Sequence, residues 1–368
     1  MNRVLRTIGV LVLFAGLGAL VCGGTLFALS GGRVGSFVQA QLARMRLSSQ
    51  EDALNRPMGT DTTPIRFTVN TGDTPPIIAQ NLFNAGLIAD ADLFVDYVRA
   101  YELDTQLEAG TFFLYKTSTL PDIAEDLTDS ASNQFTFSII PGQRIEEVAF
   151  NLVDGNQFFG FSGAEFYSLI GPGAAHPQEF ASFVNLPAGA SLEGFLYPDT
   201  YQLPAAVTPA LLRNILLQQF LDRLTPDIRQ AATEQTMTIY QVVTLASIIQ
   251  REAARVDEMP LIASVYRNRW RIGMKLDADP TVQYGIGLEN GSWWPQITVE
   301  DYQGVLSPYN TYRNTGLPPG PIASPSLAAI RAAVFPEQTD YYYFRARCDG
   351  SGYHNFARSF EEHLANAC

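Results

Sequence analysis

The residue with the clearest prospect of acid chemistry is Glu252, which lies in the stretch from Thr238 to Gly273. Apolar residues recur around it at three- and four-residue steps, the spacing of one face of an α-helix: Val242, Leu245, Ala246, Ile249 and Ala253. Glu252 therefore projects from the border of an apolar face. Because such surroundings disfavour the charged carboxylate, its pKa is expected to rise from about 4.3 toward the ~6–7 of a general acid. The alternative is a solvated Glu252 that pairs with Arg251 or Arg255.

Two helices are predicted to position this carboxyl group. Thr238 and Gln241 form a capping-box pattern, which predicts that the first helix begins there. Pro260 predicts the start of a second helix, and Ile272-Gly273 its end. A long amphipathic helix, Ala210 to Leu224, precedes both, so helix packing is expected to dominate this part of the chain.

The composition narrows the class of ligand. The chain has 368 residues, enough for two or three domains, and its net charge of -13 argues against nucleic acid as the main ligand. His176, His354 and His363 form neither an HExxH motif nor a Cys/His cluster, so no metal site and no cofactor are predicted. Cys348 and Cys368 are a candidate disulfide pair, and the sequence leaves their pairing open.

The N-terminus carries a predicted membrane span. Arg3 and Arg6 precede an uncharged run from Thr7 to Leu29, which is long enough to cross a hydrocarbon core of roughly 30 Å. A long signal peptide is the alternative, although the bulky Val21 before Cys22 argues against a lipoprotein-type cleavage site.

The predicted topology places most of the chain outside the cell membrane. Residues 1–7 form a cytoplasmic tail, residues 8–29 a retained single-pass helix and residues 30–63 a juxtamembrane stalk. Arginines soon after the span weaken the charge argument for this orientation: Arg33, Arg44 and Arg46.

A small unit is predicted at residues 64–133. Its pattern predicts a strand, two helices and a returning strand, in the order Ile65–Val69, Ile77–Leu82, Leu93–Tyr101 and Gly110–Tyr115. The segment FTVNTGDT followed by IAQNL resembles the LysM peptidoglycan-binding module. That resemblance implies glycan binding, although the same features would suit any unit of this βαα type.

Two loops display acids and aromatic side chains. In the first, Ala190 to Tyr201, Gly194 permits a sharp turn and Pro198 prevents a regular helix. Its candidates for lining a sugar subsite are Glu193, Tyr197, Asp199 and Tyr201. The alternative is a structural turn in which Asp199 caps the following element.

A second group of candidates follows the central helices. Asp277 and Asp279 lie before a turn that Pro280 begins, and Tyr309 to Tyr312 opens another rigid polar and aromatic loop. Each of these side chains is either a substrate contact or a residue that only holds its loop.

Taken in order, these motifs resemble one family, the endolytic murein transglycosylases of the MltG (YceG-like) type. The matching pieces are SLEGFLYPDTY, LASIIQRE, RWRIGM, LDADPTVQYG, YNTY, GLPPGPIASPS and the HNF…H ending, from about residue 65 to residue 363. The resemblance implies a lyase that cuts the β-1,4 bond between N-acetylmuramic acid (MurNAc) and N-acetylglucosamine (GlcNAc) within a glycan strand. Such a lyase would leave a 1,6-anhydroMurNAc end and so terminate nascent strands.

The resemblance also implies a fold and a site. The fold is α+β: the single N-terminal helix, the LysM-like domain and a larger helix-centred catalytic domain at residues 134–368. The family's catalytic acid, the second Glu of a Glu-Lys-Glu run, falls on Glu252, while Gln250 stands in place of the first. Glu193 is expected opposite Glu252 in the cleft. The predicted substrate-binding residues are Glu193, Tyr197, Asp199, Asp279, Tyr309 and Asn310.

A lone carboxylic acid suits this reaction, because it can protonate the bridging oxygen and then accept the proton of the sugar's own 6-hydroxyl. Ordinary glycosidases need two acids, about 5–5.5 Å or ~6.5–9.5 Å apart. Candidate second acids are Glu193, Asp199, Asp277 and Asp279, so a peptidoglycan hydrolase is one alternative. A non-catalytic glycan-binding scaffold of wall synthesis is another. The expected partners are glycan strands and the cell-wall synthesis enzymes at the membrane.

Overall fold

A computed structural model describes residues 41, 43–130 and 133–368 of the chain. The predicted span at residues 8–29 lies outside them, and no helix in the described part is both long and apolar enough to cross a membrane. The described residues form two compact units. One comprises the residues up to Phe135 with Pro204–Ala206, and the other comprises Thr136–Leu203 and Val207–Cys368. Both contain helices and strands, so the predicted α+β class is confirmed.

The first unit is built around two antiparallel strands. Its elements are α1 (Glu51–Leu54), β1 (Ile65–Val69), α2 (Pro75–Asn84), α3 (Ala91–Ala100), β2 (Gly110–Leu114) and α4 (Leu120–Asp126). In the β1–β2 pair Phe67 lies opposite Phe112, and both rings are buried. Gly72 after β1 has a φ of 94°, which favours glycine in this turn. The strands and helices predicted between residues 65 and 115 are confirmed.

The rest of the chain is mainly helical. Its elements are β3 (Gln134–Ser138), a π-helix (Glu147–Val153), α5 (Gly163–Ile170), α6 (Gln178–Val184), β4 (Thr200–Pro204), α7 (Pro209–Arg223), α8 (Pro226–Glu234), α9 (Ile239–Glu252), a 3₁₀ turn (Val256–Glu258), α10 (Met259–Arg271), α11 (Asp279–Ile286), α12 (Asp301–Gly304), α13 (Leu327–Val334), β5 (Tyr343–Ala346), β6 (His354–Ala357) and α14 (Phe360–Ala365). β3 pairs with β4, and β5 forms an antiparallel pair with β6.

Helix α9 is the central helix of the second unit. The predicted capping box is present: the Thr238 side chain accepts from the Gln241 N–H, and the Gln241 side chain accepts from the Thr238 N–H at 3.0 Å. Every residue from Val242 to Ile249 is buried, so the helix is covered on all sides rather than along one apolar stripe. Thr244 and Ser247 donate their hydroxyls to backbone carbonyls, which satisfies the buried polar groups.

The elements after α9 close the unit. Helix α10 follows the 3₁₀ turn, and Gly273 beyond it has a φ of 71°, which confirms the predicted second helix and its end. Helix α13 packs against both α9 and α10. Cys348, in the connection between β5 and β6, forms a disulfide with Cys368 at the end of the chain.

Candidate active site

Glu252 is the last residue of α9 and, taken as a whole residue, is half-buried. Burial raises its pKa from 4.5 to about 7. Its location at the negative end of the helix dipole also favours the protonated form. At this pKa the group exists in both protonation states near neutral pH, as a general acid and base requires.

Groups from two neighbouring helices adjust the acidity of Glu252. The Tyr266 hydroxyl, on α10, donates a hydrogen bond of 2.8 Å to Glu252 Oε1, and this bond lowers the pKa of Glu252. The charge of Asp279, at the start of α11, raises that pKa, whereas the charges of Arg269 and Arg251 lower it. Among the described residues, the carboxyl group therefore has one side-chain hydrogen-bond donor, and the surrounding charges are of both signs.

Asp279 is held by an aromatic pair. The Tyr312 hydroxyl donates to Asp279 Oδ1 at 2.6 Å, and the Tyr312 ring stacks on Tyr302 with centroids 4.1 Å apart. Burial and the Asp279 carboxylate raise the pKa of Tyr312, so its hydroxyl keeps its proton. Of the predicted substrate-binding residues, Asp279 is the one whose charge acts on Glu252.

Arg269 is fixed by backbone carbonyls on the other side of the site. Its Nη1 donates to Leu276 O and its Nε to Tyr342 O, each at 2.6 Å, and Asp277 Oδ2 lies 3.4 Å from Nη1. Burial raises the pKa of Asp277. Because these carbonyls hold the guanidinium, its charge stays near Glu252 as a fixed part of the site.

Arg251 belongs to a cluster of arginine side chains and aromatic rings. The Arg251 guanidinium is 3.8 Å from the Trp294 ring centroid, and the Arg144 guanidinium is 4.2 Å from the same ring. Arg144 is also 4.5 Å from the Tyr284 ring. Burial lowers the pKa of both arginines. Trp294 Nε1 donates to Glu147 Oε2 at 3.0 Å, which fixes the ring between the two cations.

Glu193 lies in this second cluster. Its carboxylate accepts from Gly194 N at 3.2 Å, from the Tyr284 hydroxyl at 3.3 Å and from Ile145 N at 3.4 Å. Burial raises its pKa well above the usual value, the charge of Glu146 raises it further, and the charge of Arg144 lowers it. The residue is only 1% exposed, so its carboxylate lies beneath the surface rather than on a cleft wall.

The other predicted substrate-binding residues lie in three different surroundings. Tyr309 packs against Tyr284 with ring centroids 4.7 Å apart. Tyr197 is buried beneath the Arg223 guanidinium, 5.7 Å from its ring. Asp199 forms an ion pair of 2.7 Å with Arg223. The structure thus brings Tyr309 near the Glu193 cluster and holds Tyr197 and Asp199 together against α7.

Asn310 is fully buried and bonded within its own loop. Its Nδ2 donates to Tyr302 O and Val305 O, and its Oδ1 accepts from Tyr312 N at 2.9 Å. It therefore orients the loop that carries Tyr312. Its role in substrate binding, like those of Glu193, Tyr197, Asp199 and Tyr309, stays a prediction.

Several residues of the site were not predicted from the sequence: Arg144, Tyr266, Arg269, Trp294 and Tyr302. The Trp293-Trp294 pair, among only three tryptophans in the chain, was a signal that could have been used. Gln250 lies at the position where the sequence departs from the family motif, and its Oε1 accepts from Ser326 N at 3.0 Å. In the described part of the chain, no group of three or more His, Cys, Asp or Glu residues is arranged to hold a metal ion.

The fold is similar to that of a protein whose structure has been solved. A crystal structure of a yceG-like protein from Listeria monocytogenes matches with a TM-score of 0.56 and 26% identity. The match covers 83% of this chain and 99% of that one. The YceG-like family matches residues 67–368, and the chain belongs to this family, which confirms the predicted resemblance.

Two curated relatives carry the name endolytic murein transglycosylase. The protein from Bacillus subtilis is 28% identical over 312 residues, which is 82% of this chain and 83% of the relative. The protein from Streptococcus pneumoniae is 27% identical over 309 residues, and the match covers 78% of this chain and 55% of that relative. This chain therefore spans about half the length of the pneumococcal protein.

Proposed function

We propose that this chain is an endolytic murein transglycosylase, a lyase that cleaves the glycan strands of peptidoglycan. The observation that carries the proposal is the Glu252 carboxyl group at the end of α9, with its pKa raised by burial to about 7. The names of the Bacillus and Streptococcus relatives support the same activity.

The geometry suits one acid that acts twice. Protonated Glu252 gives its proton to the oxygen of the MurNAc-β-1,4-GlcNAc bond, and the bond from C1 of MurNAc to that oxygen breaks. The Tyr266 hydroxyl and the charges of Arg269 and Arg251 favour the carboxylate that this step leaves. The carboxylate then accepts the proton of the MurNAc 6-hydroxyl, while the oxygen of that hydroxyl forms a bond to C1 of the same sugar. Glu252 is restored, no water is consumed and a 1,6-anhydro end forms.

Product analysis on purified, uncrosslinked glycan strands tests this reaction. We expect fragments from cuts within the strand, with 1,6-anhydroMurNAc ends and masses that include no added water. The Glu252→Gln variant should give a folded protein without these fragments. Continued cleavage by that variant would refute the role of Glu252.

Hydrolysis is the competing reaction, and the charge of Asp279 near Glu252 is the observation that favours it. A hydrolase would give fragments heavier by one water, and their appearance would overturn the lyase proposal. If the wild-type protein binds the glycan without cutting it, and Glu252→Gln binds equally well, the chain is a scaffold instead.

We also propose a domain organisation and a membrane topology for the chain. Residues 134–368 form the catalytic domain, and residues 64–133 a LysM-like glycan-binding domain, which the order β1, α2, α3, β2 supports. Residues 8–29 anchor the protein in the cell membrane as a single span, with the catalytic domain on the extracytoplasmic side. There the enzyme would meet nascent strands beside the wall-synthesis enzymes and terminate them. Protease protection of the two ends in intact membranes tests this orientation.

A further inference from the structure

A cavity lies on the side of α10 that faces away from Glu252. An α-helix turns by about 100° per residue, so Tyr266 and Arg269 fall on one face and Ser264 and Arg271 on the opposite one. That second face, together with Arg267 and Trp270 between the two faces and with the segment 334–339, lines a cavity of about 700 Å³. This volume lies within the ~300–1,000 Å³ that is typical of small-molecule sites.

The cavity contains two cations that repel each other. Arg267 and Arg271 both line it, and within the described residues neither forms an ion pair with a carboxylate. Burial lowers the pKa of Arg267, and the charge of Arg271 lowers it further. Glu337 also lines the cavity but pairs with neither guanidinium. An anion bound between the two arginines would relieve this repulsion, and a planar carboxylate matches the donor geometry of a guanidinium.

An aromatic wall and amide groups complete the cavity. Trp270 lines it, with the Arg267 guanidinium 5.6 Å from the ring centroid, and Gln235 and Gln338 also line the cavity. The Gln235 Nε2 donates to Val334 O. A tryptophan ring offers a flat apolar surface, and amides offer both donors and acceptors. Arg267 Nη1 contacts Met237 Sδ, and Arg271 Nη2 donates to Asn268 Oδ1 at 3.3 Å, so both cations have neutral partners. This combination of a flat ring, neutral polar groups and two cations without an ion pair among the described residues suits a sugar that carries a carboxylate.

We propose that this cavity is a second glycan site, which binds MurNAc that bears a free lactyl carboxylate. The carboxylate lies against Arg267 and Arg271, and the sugar ring lies against Trp270. The ligand class rests on the proposed action on peptidoglycan. Because this carboxylate is free only where MurNAc has no peptide attached, the site selects peptide-free stretches of a strand. GlcNAc lacks the lactyl group and is the matched sugar without a charge.

Fluorine NMR of the full-length protein labelled with 5-fluorotryptophan tests the site directly. The chain has three tryptophans, so the spectrum is simple, and Trp270→Phe assigns the signal of the cavity. Added MurNAc should shift the Trp270 signal in a saturable way, while GlcNAc or lactate at the same concentration should not. An unmoved Trp270 signal, or equal shifts with GlcNAc or lactate, would overturn the proposal.

Two arginine variants separate a specific site from general charge effects. Arg271 is exposed, so Arg271→Gln should fold normally and weaken MurNAc binding at Trp270 by about 10-fold or more, as expected for a lost charge-assisted hydrogen bond. Arg99→Gln removes the same charge from an exposed position on α3 and should leave binding unchanged. Equal effects of the two variants would reject the site.

The two proposals fail in different ways. If the wild-type protein cleaves glycan but MurNAc does not shift its Trp270 signal, the second glycan site is rejected and the proposed lyase activity stands. A Trp270 response without cleavage by the wild-type protein rejects the lyase reaction and leaves the carbohydrate site standing.

Discussion

Glu252 and Glu193 belong to the same unit, and burial raises the pKa of both carboxyl groups. The two side chains nevertheless differ in their exposure and in the number of hydrogen bonds that they accept. Glu193 is 1% exposed and accepts hydrogen bonds from Ile145, Gly194 and Tyr284. Glu252 is half-buried at a helix end, and among the described residues Tyr266 is the one side chain that donates a hydrogen bond to it.

The comparison shows that a raised pKa does not by itself identify a catalytic acid. A group that exchanges a proton with a substrate must also be reachable and must have lone pairs that the protein does not already occupy. Glu252, a half-buried residue with a hydrogen bond from Tyr266 to its Oε1, comes closer to both conditions than the buried Glu193 does. The Glu193 carboxyl group instead accepts hydrogen bonds from Gly194 of its own loop and from Ile145 and Tyr284, near the Arg144 cation. We therefore propose that Glu252 transfers the proton and that Glu193 positions its loop.

The largest expected effect separates the two glutamates by activity. Glu252→Gln should lower kcat/KM by at least ~100-fold, the lower end of the loss of a general acid, without unfolding the protein. Glu193→Gln, the matched control, should stay within ~10-fold of wild type because Gln keeps the size and the acceptor oxygen. Rates of strand cleavage with circular dichroism of each variant check this. Equal losses of kcat/KM in both variants would contradict the different roles proposed for Glu252 and Glu193.

The next effect concerns stability and pH. The pKa of Glu252 is raised on folding from 4.5 to about 7, so the folded state binds its proton more tightly. The stability that this proton provides is complete below about pH 4.5 and is lost as the pH rises through about 7. Since Gln does not titrate, Glu252→Gln should gain stability relative to wild type over this range, by at most about 3 kcal/mol.

Urea unfolding of both proteins from pH 5 to pH 9 measures this difference. Other titrating groups are shared by the two proteins and cancel. A difference in unfolding free energy that stays constant with pH would show that the carboxyl group titrates normally.

A smaller effect distinguishes the tyrosines that contact the two glutamates. The Tyr266 hydrogen bond lowers the pKa of Glu252, so Tyr266→Phe should move the alkaline limb of the pH–rate profile to higher pH. The Tyr266 ring would still pack against Phe344, 5.7 Å away between centroids. Tyr284→Phe, which removes a donor from Glu193, should leave that limb in place. A shift in the second variant, or none in the first, contradicts the assignment of Tyr266.

Much of the fold could be predicted because the sequence patterns that specify its helices and strands are local. The capping box at Thr238 and Gln241, Gly273 after α10 and the alternation in β1 act within a few residues, and each element was found. Glu252 was placed on an apolar border for the same reason. The predicted single stripe missed the burial of α9 on all sides, because the sequence of one helix does not show what packs against its other faces.

The surroundings of the site could not be predicted in this way. Arg144 and Trp294 meet although 150 positions separate them, and the loops that carry them have no periodicity. The burial of Glu193 depends on Gly194, which has a φ of 84° and leaves no room for a side chain: a Cβ there would lie 2.5 Å from Pro321 Cβ. Only the folded chain shows that close approach.

The smallest effect tests whether Asp199 contacts the substrate or only holds its loop. Its Oδ2 accepts from Gln219 Nε2 at 2.6 Å and from Arg223 Nη2 at 2.7 Å. Burial raises the pKa of Asp199, but the hydrogen bonds from Thr200, Arg223 and Gln219 outweigh burial and lower it. Because the Arg223 pair is partly exposed, Asp199→Asn should cost at most about 1 kcal/mol of stability.

Cleavage by Asp199→Asn should then stay within ~3-fold of wild type, since the lost ion pair is with Arg223 at the end of α7. Arg223→Gln should cost a similar amount of stability, and the double variant should lose less than the sum, because both changes remove one interaction. A loss of activity above ~10-fold with an unchanged unfolding free energy would instead restore Asp199 as a substrate contact. That result would extend the glycan-binding surface from Glu252 to the start of β4.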